Sequence, residues 1–246
     1  HYAVHTPIQA PPHEIAHWAK KLPDEPKKRH RYAAMVDSVD RSVGRVREAL
    51  EKNGCADRTL VIFTSDNGGL QNYTDNGPLR GGKGMLFEGG VRVPFIAWGA
   101  GTGSESRVVD DPIQLTDLVP TMLEMAKTPA PAKIPLIGTS LVQVLTGQGS
   151  LPQRDLIWHF PAYLEGKTKL HGPWRTTPAA SIVRGKWKLL EFFEDGRRFL
   201  FQLEADISEQ NDLSEKHPER VQELANCLAQ WRQQRNAPMP QHPEKP

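Results

Sequence analysis

Cysteine is nearly absent from this 246-residue chain, which holds only Cys55 and Cys227. Their separation matches neither a zinc pattern nor a redox pair, and free thiols are expected, with a single disulfide between them as the alternative. No run of about eighteen apolar residues occurs, so no membrane-crossing helix is encoded. An excess of one charge is also lacking. The formal net charge is +2, from 31 Lys and Arg against 29 Asp and Glu, too little to argue for nucleic acid or an anionic membrane as partner. No signal peptide is expected in the chain's opening residues. It opens on HYAVHTPIQAPP without an initiator Met, reads as a strand running straight into a loop, and is expected to be cut from something longer.

What is present is 38% apolar and 24% charged residues, with length enough for a substantial core in one large domain or one and a half. The rest is organised around Thr59 to Gly90, TLVIFTSDNGGLQNYTDNGPLRGGKGMLFEGG. An apolar, β-branched run (Leu60, Val61, Ile62, Phe63) reads as a buried strand and delivers Ser65-Asp66-Asn67 to a loop. Gly68 and Gly69 permit the backbone break that lets Asp66 and Asn67 share a target. A carboxylate beside an amide carbonyl offers two hard oxygen donors, which favours calcium or magnesium over zinc. Calcium takes roughly six to eight oxygens, so most of a shell must come from elsewhere. A glycine-capped Asx turn is the competing reading of DNGG alone. Further on, Gly81-Gly82-Lys83-Gly84 leaves backbone amides open and an ammonium free to reach an anion. Gly84 stands where a Walker loop needs Ser or Thr.

The segments SDNGG, GPLRGGKG and FEGGVRVP, in this order and spacing, resemble the sulfatase family, the arylsulfatase-type members of the alkaline phosphatase superfamily. The resemblance implies a sulfuric ester hydrolase, with Asp66 and Asn67 as calcium ligands and Lys83 as a sulfate-binding cation. Magnesium is the second candidate metal. A phosphodiesterase or phosphonate monoester hydrolase of the same superfamily, and a non-catalytic anion-binding relative, are the alternatives. The family's nucleophile is a formylglycine made within a Cys/Ser-x-Pro-Ser-Arg motif, and neither Cys55-Ala-Asp-Arg nor Cys227-Leu-Ala-Gln fits it. The paired aspartates that complete the family's calcium shell are missing as well. The chain is therefore expected to be the C-terminal part of a sulfatase, inactive alone and a weak binder of calcium. A sulfated small molecule or sulfated sugar is the expected substrate, and a periplasmic or secreted location follows from the family.

His1 to Pro7 has the alternation of a strand ending at proline. On an extended chain His1 and His5 stand roughly 13 Å apart, too far for one metal. His5 alone reads as a loop histidine. The family places a histidine before x-Pro at such a strand end, where it binds sulfate or protonates the leaving oxygen, so His5 and Lys83 are the catalytic candidates and His1 is left structural. Residues 13–28 read as a polar loop with one helical turn. Arg29 to Lys52 has helical period, carried by residues from Tyr32 to Leu50, 93–98 reads as a buried strand, and 114–126 as a helix with Pro120 in its first turn or at a kink. Asp117 to Thr121 matches a family segment without adding chemistry, and a short helix follows within 136–145.

The expected fold class is α/β: the C-terminal part of an alkaline-phosphatase-like layered sheet over residues 1–150, then a small subdomain of antiparallel strands and a terminal helix over residues 151–246. Strands are expected at 155–160, 181–184, 186–191 and 198–203, a helix at 218–234 and a frayed tail after Met239. His159 is a substrate-binding candidate. His171, Trp174 and Arg175, in a long loop from Ala162 to Pro178, can touch the substrate's organic part or serve in packing.

Overall fold

The computed structural model describes residues 2–103, 105–169 and 171–240. His1 and the last six residues of the tail lie outside them. Two helices open the chain, α1 (Pro12–Lys21) and α2 (Lys27–Lys52), and pack on each other. The loop expected at 13–28 is thus largely a ten-residue helix: Pro12 sits at its first position, where the missing N–H costs nothing, and Lys20 and Lys21 close it at the negative end of the dipole. Residues 2–7 form turns and bends instead of the expected strand. A strand needs a pairing partner, and no described segment pairs with this one.

Strand β1 (Leu60–Thr64) pairs antiparallel with β2 (Phe95–Gly99), Ile62 opposite Ala97. Both strands are only partly covered: every residue of β1 is half-buried, and Ile96 is 60% exposed. The fully buried strands that the apolar runs predict are not seen, because this pair has no third strand among the described residues. Between the two strands lies the single turn of α3 (Glu88–Val91). A short 3-10 turn leads into α4 (Leu118–Met125), with Pro120 in its first turn, and α5 (Val142–Thr146) follows.

The second half builds a four-stranded antiparallel sheet in the order β3 (Asp155–Phe160), β6 (Ala179–Arg184), β7 (Trp187–Phe192), β8 (Arg198–Gln202). One face of this sheet is covered by α6 (Pro218–Arg235), and Ile182, Leu189, Leu200, Leu224 and Leu228 form a core with no solvent exposure. The other face packs Phe192 and Phe201 against Phe87, next to α3. The segment expected as a long loop is a two-stranded ribbon, β4 (Leu164–Thr168) and β5 (Gly172–Thr176). Its irregular register, with shifts on either side of Glu165, spoils the alternation that marks a strand in sequence. Both cysteines are free. No helix among the described residues is long and apolar enough to cross a membrane.

Candidate anion and metal site

The site is assembled backbone to backbone. Where β1 ends, the Gly68 N–H donates to the Gly90 carbonyl at 3.0 Å, and the Lys83 N–H donates to the Gly69 carbonyl at 3.0 Å. Asn76 Nδ2 donates both to that same Gly69 carbonyl (2.8 Å) and to the Gly81 carbonyl (3.0 Å). The three glycine-rich segments therefore meet in space, with Asn76 as a crosslink that the sequence did not single out. A Cβ on Gly68 would overlap the Gly89 carbonyl, so this approach requires glycine.

Asp66 is exposed and Asn67 half-buried, and their side chains bond to no described residue. Both line a wide cleft of about 2110 Å³, which also touches Gly84. A carboxylate and an amide oxygen left unpaired at one strand end fit a hard cation such as calcium and supply part of its shell. Among the described residues no cluster of three or more His, Cys, Asp or Glu adds to them. The Lys83 side chain is half-buried and has no hydrogen bond or ion pair with any described residue. A half-buried ammonium without a counter-ion is costly unless something anionic visits it.

Behind these turns lies a buried ionic clamp. Lys188, on β7, has no solvent exposure, and its Nζ sits 2.8 Å from Glu88 Oε1 and 3.0 Å from Glu209 Oε1. Glu209 Oε2 accepts the Glu88 backbone N–H at 2.6 Å, and Arg80, stacked on the Phe87 ring, donates to the Glu209 carbonyl at 2.7 Å. Burial pushes the Glu209 carboxyl above its ordinary range, against the opposing pull of Lys188 and the Glu88 amide. Glu88 directly precedes Gly89 and Gly90, the residues that back the Asp66 turn. Glu88, Lys188 and Glu209 were not legible as site residues: Lys188 occupies an ordinary strand and Glu209 a polar turn.

A second buried carboxylate braces the neighbouring unit. Asp117 is fully buried, pairs with Arg154, and accepts the N–H groups of Gln114 (2.8 Å) and Thr139 (2.9 Å). Burial alone would raise its pKa, but the Arg154 fork and the two amides outweigh burial and hold it below the usual carboxylate range.

The histidines divide differently. His5 is exposed, with Nδ1 2.8 Å from the Thr6 carbonyl and its ring against Tyr2. No hydrogen bond among the described residues joins it to Asp66, Asn67 or Lys83. His159 donates Nε2–H to the Pro238 carbonyl at 2.7 Å and packs between Phe193 and Trp231. His171 is buried against Phe192, and burial, aided by the Arg197 and Arg80 cations, lowers its pKa.

Strand-end oxygen donors and a lysine on a glycine-rich turn thus stand on hydrogen-bonded segments of an α/β scaffold, although Lys83 itself does not line the cleft that Asp66 and Asn67 line. The sulfatase family model matches residues 2–128 and the model of the N-sulphoglucosamine sulphohydrolase C-terminal region matches 82–234, so this chain belongs to the sulfatase family. A "Sulfatase" of Formosa agariphila is 34% identical over 243 residues, covering 92% of this chain and 43% of that protein. Mouse arylsulfatase J is 28% identical over 263 residues, covering 93% and 44%. The solved structure of Ps i-CgsB in complex with k-i-k-neocarrahexaose superposes with a TM-score of 0.77 at 30% identity, over 93% of this chain and 48% of that one. The chain thus spans less than half the length of these relatives. Its fold is the mixed α/β fold of sulfatases, an alkaline-phosphatase-like architecture.

Proposed function

We propose that this chain supplies the calcium-binding strand end and the sulfate-holding cation of a sulfuric ester hydrolase. The observation that carries the reading is that Asp66, Asn67 and Lys83, all without partners among the described residues, stand on turns hydrogen-bonded to one another. Lys83 neutralises sulfate oxygens, whose charge grows as the ester bond breaks. Asp66 and Asn67 would hold part of the shell of a calcium ion, which when bound would supply electrostatic stabilisation of negative charge at the site. The nucleophile, a formylglycine, comes in this reading from outside these 246 residues. His5 gives its proton to the departing alcohol. The Thr6 carbonyl can only accept, so Nδ1 carries a hydrogen, and Nε2 is left to donate when the ring is protonated. His159, engaged by the Pro238 carbonyl, is assigned to packing. The oligosaccharide held by Ps i-CgsB supports a sugar, here a sulfated one, as the organic part of the substrate.

Calorimetric titration of the protein with calcium and with sodium sulfate tests the reading. Weak binding of both is expected, with Asp66→Ala removing the calcium heat and Lys83→Ala the sulfate heat. Binding indifferent to both substitutions would overturn it. Against an aryl sulfate these 246 residues are expected to show no turnover, and robust turnover would place the nucleophile among them.

A further inference from the structure

We propose that Arg175 is a second anion-binding cation beside Lys83, and that it recognises a second acidic substituent, sulfate or carboxylate, on the sugar whose sulfate Lys83 holds. The inference rests on the sulfatase reading above. It starts from a census of cations. Among the described residues, every Lys or Arg that is not exposed has a carboxylate, carbonyl or ring partner, with two exceptions, Lys83 and Arg175. Those two stand on touching segments.

The contact runs through Gly84, the residue after Lys83. A Cβ there would lie 2.8 Å from Arg175 Cδ, and the Leu164 side chain closes the same space. The guanidinium lies further on, over Gly166, where a Cβ would meet Nε at 3.0 Å and one terminal nitrogen at 3.3 Å. Both glycines have positive φ, 83° and 139°, and the Arg175 side chain passes both, its stem at the Gly84 turn and its head over Gly166. Its stem passes the turn and its head reaches beyond it. That offset suits a neighbouring substituent better than the scissile sulfate itself.

Strand geometry separates Arg175 from the adjacent Trp174. Trp174 lies opposite Glu165 and against the Tyr163 ring (5.0 Å), while Arg175, the extra residue where the register shifts, lays its stem beside Leu164 against Gly84. The aromatic pair is therefore not part of the subsite. A guanidinium keeps its charge at all working pH and presents a planar fork that matches a carboxylate or sulfate with two hydrogen bonds. Held half-buried with no counter-ion, it gains most when such a group arrives.

The test is equilibrium binding to the protein of two probes, N,6-O-disulfated glucosamine and glucosamine 6-O-sulfate, for the unsubstituted chain, Arg175→Ala, Arg175→Lys and Lys83→Ala. Charge-assisted bidentate contacts predict that Arg175→Ala weakens the disulfated probe about tenfold to a hundredfold and leaves the monosulfated probe within about twofold. Arg175→Lys should recover only part of the loss, because an ammonium cannot make the fork. Lys83→Ala should weaken both probes alike. If Lys83→Ala acts and Arg175→Ala does not, or if Arg175→Ala weakens both probes equally, the second subsite is overturned and the sulfatase reading stands. If neither substitution changes either affinity, or the unsubstituted protein binds neither probe, both fall. Arg175 breaks no existing pair when removed, so the melting temperature of Arg175→Ala should match the parent and exclude unfolding as the cause.

Discussion

Replacing Lys188 by Met removes the central charge of the clamp behind the site. In the folded protein its ammonium is fully buried between two carboxylates at 2.8 and 3.0 Å. Without it, Glu88 and Glu209 face each other in the interior, and the nearest remaining cation is Arg92, 3.4 Å from Glu88 and mostly solvent-exposed. Removing one member of a buried ion pair typically costs about 3–5 kcal/mol, because a charge is left uncompensated. That is a large share of the about 5–15 kcal/mol that holds a typical domain folded. With a urea slope of about 2–3 kcal/mol per molar, the midpoint should fall by about 1–2 M at pH 7. The triple variant Lys188→Met, Glu88→Gln, Glu209→Gln should recover most of the loss, since it leaves no buried charge. The measurement is urea unfolding followed by circular dichroism, with the slope compared among all three proteins. A Lys188→Met midpoint close to the parent, or a triple variant no better than the single one, would refute the idea that an uncompensated pair of carboxylates sets the cost.

Other outcomes follow from the same geometry. The folded pKa of Asp117 is depressed, so its contribution to stability is full above the ordinary value of 3.8 and drains away as pH falls from there through the folded value; Asp117→Asn should flatten acid unfolding in that window and cost about 3–5 kcal/mol at pH 7 by orphaning Arg154. Glu209 has the opposite sign. Its folded pKa is raised above 4.5, so its contribution is lost as pH rises through that range, and Glu209→Gln should remove this downward slope in a series of melting curves at stepped pH. Gly68→Ala should destabilise by about 1–3 kcal/mol or more and weaken calcium binding in a titration, because its Cβ would overlap the Gly89 carbonyl and neither backbone can yield cheaply.

How much of this could be read from residue types alone depends on what each feature is made of. Helix α2, β3 and β7 follow hydrophobic period, and period is a property of one segment, so they stand within a residue or two of expectation. Helix α1 carries the same signal over a shorter span, in Ile15, Trp18 and Ala19, and the prolines at 11, 12, 23 and 26 on either side hide it. The same limit applies to what an apolar face meets. Val43 and Val46 of α2 and Met122 of α4 belong to helical stripes, yet they are 37%, 52% and 50% exposed; period says that a face is apolar, not that something covers it.

The site divides along the same line. Asp66, Asn67 and Lys83 stand out in sequence as candidates because glycines bracket them, and glycine at a turn reports on backbone that must come close to something else. The clamp is illegible because its members are spread over residues 88, 188 and 209 and each sits in a locally ordinary context. Arg175 lies between these cases. Its residue type marked it as a candidate with Trp174, but only contacts in the folded ribbon separate the two, the arginine stem lying against Gly84 and the tryptophan against Tyr163. A half-buried charge becomes informative only once every neighbour is known, because the signal is a missing partner. In this chain that signal falls on Lys83 and Arg175 and on no other described lysine or arginine that is shielded from solvent, and both proposed anion contacts rest on it.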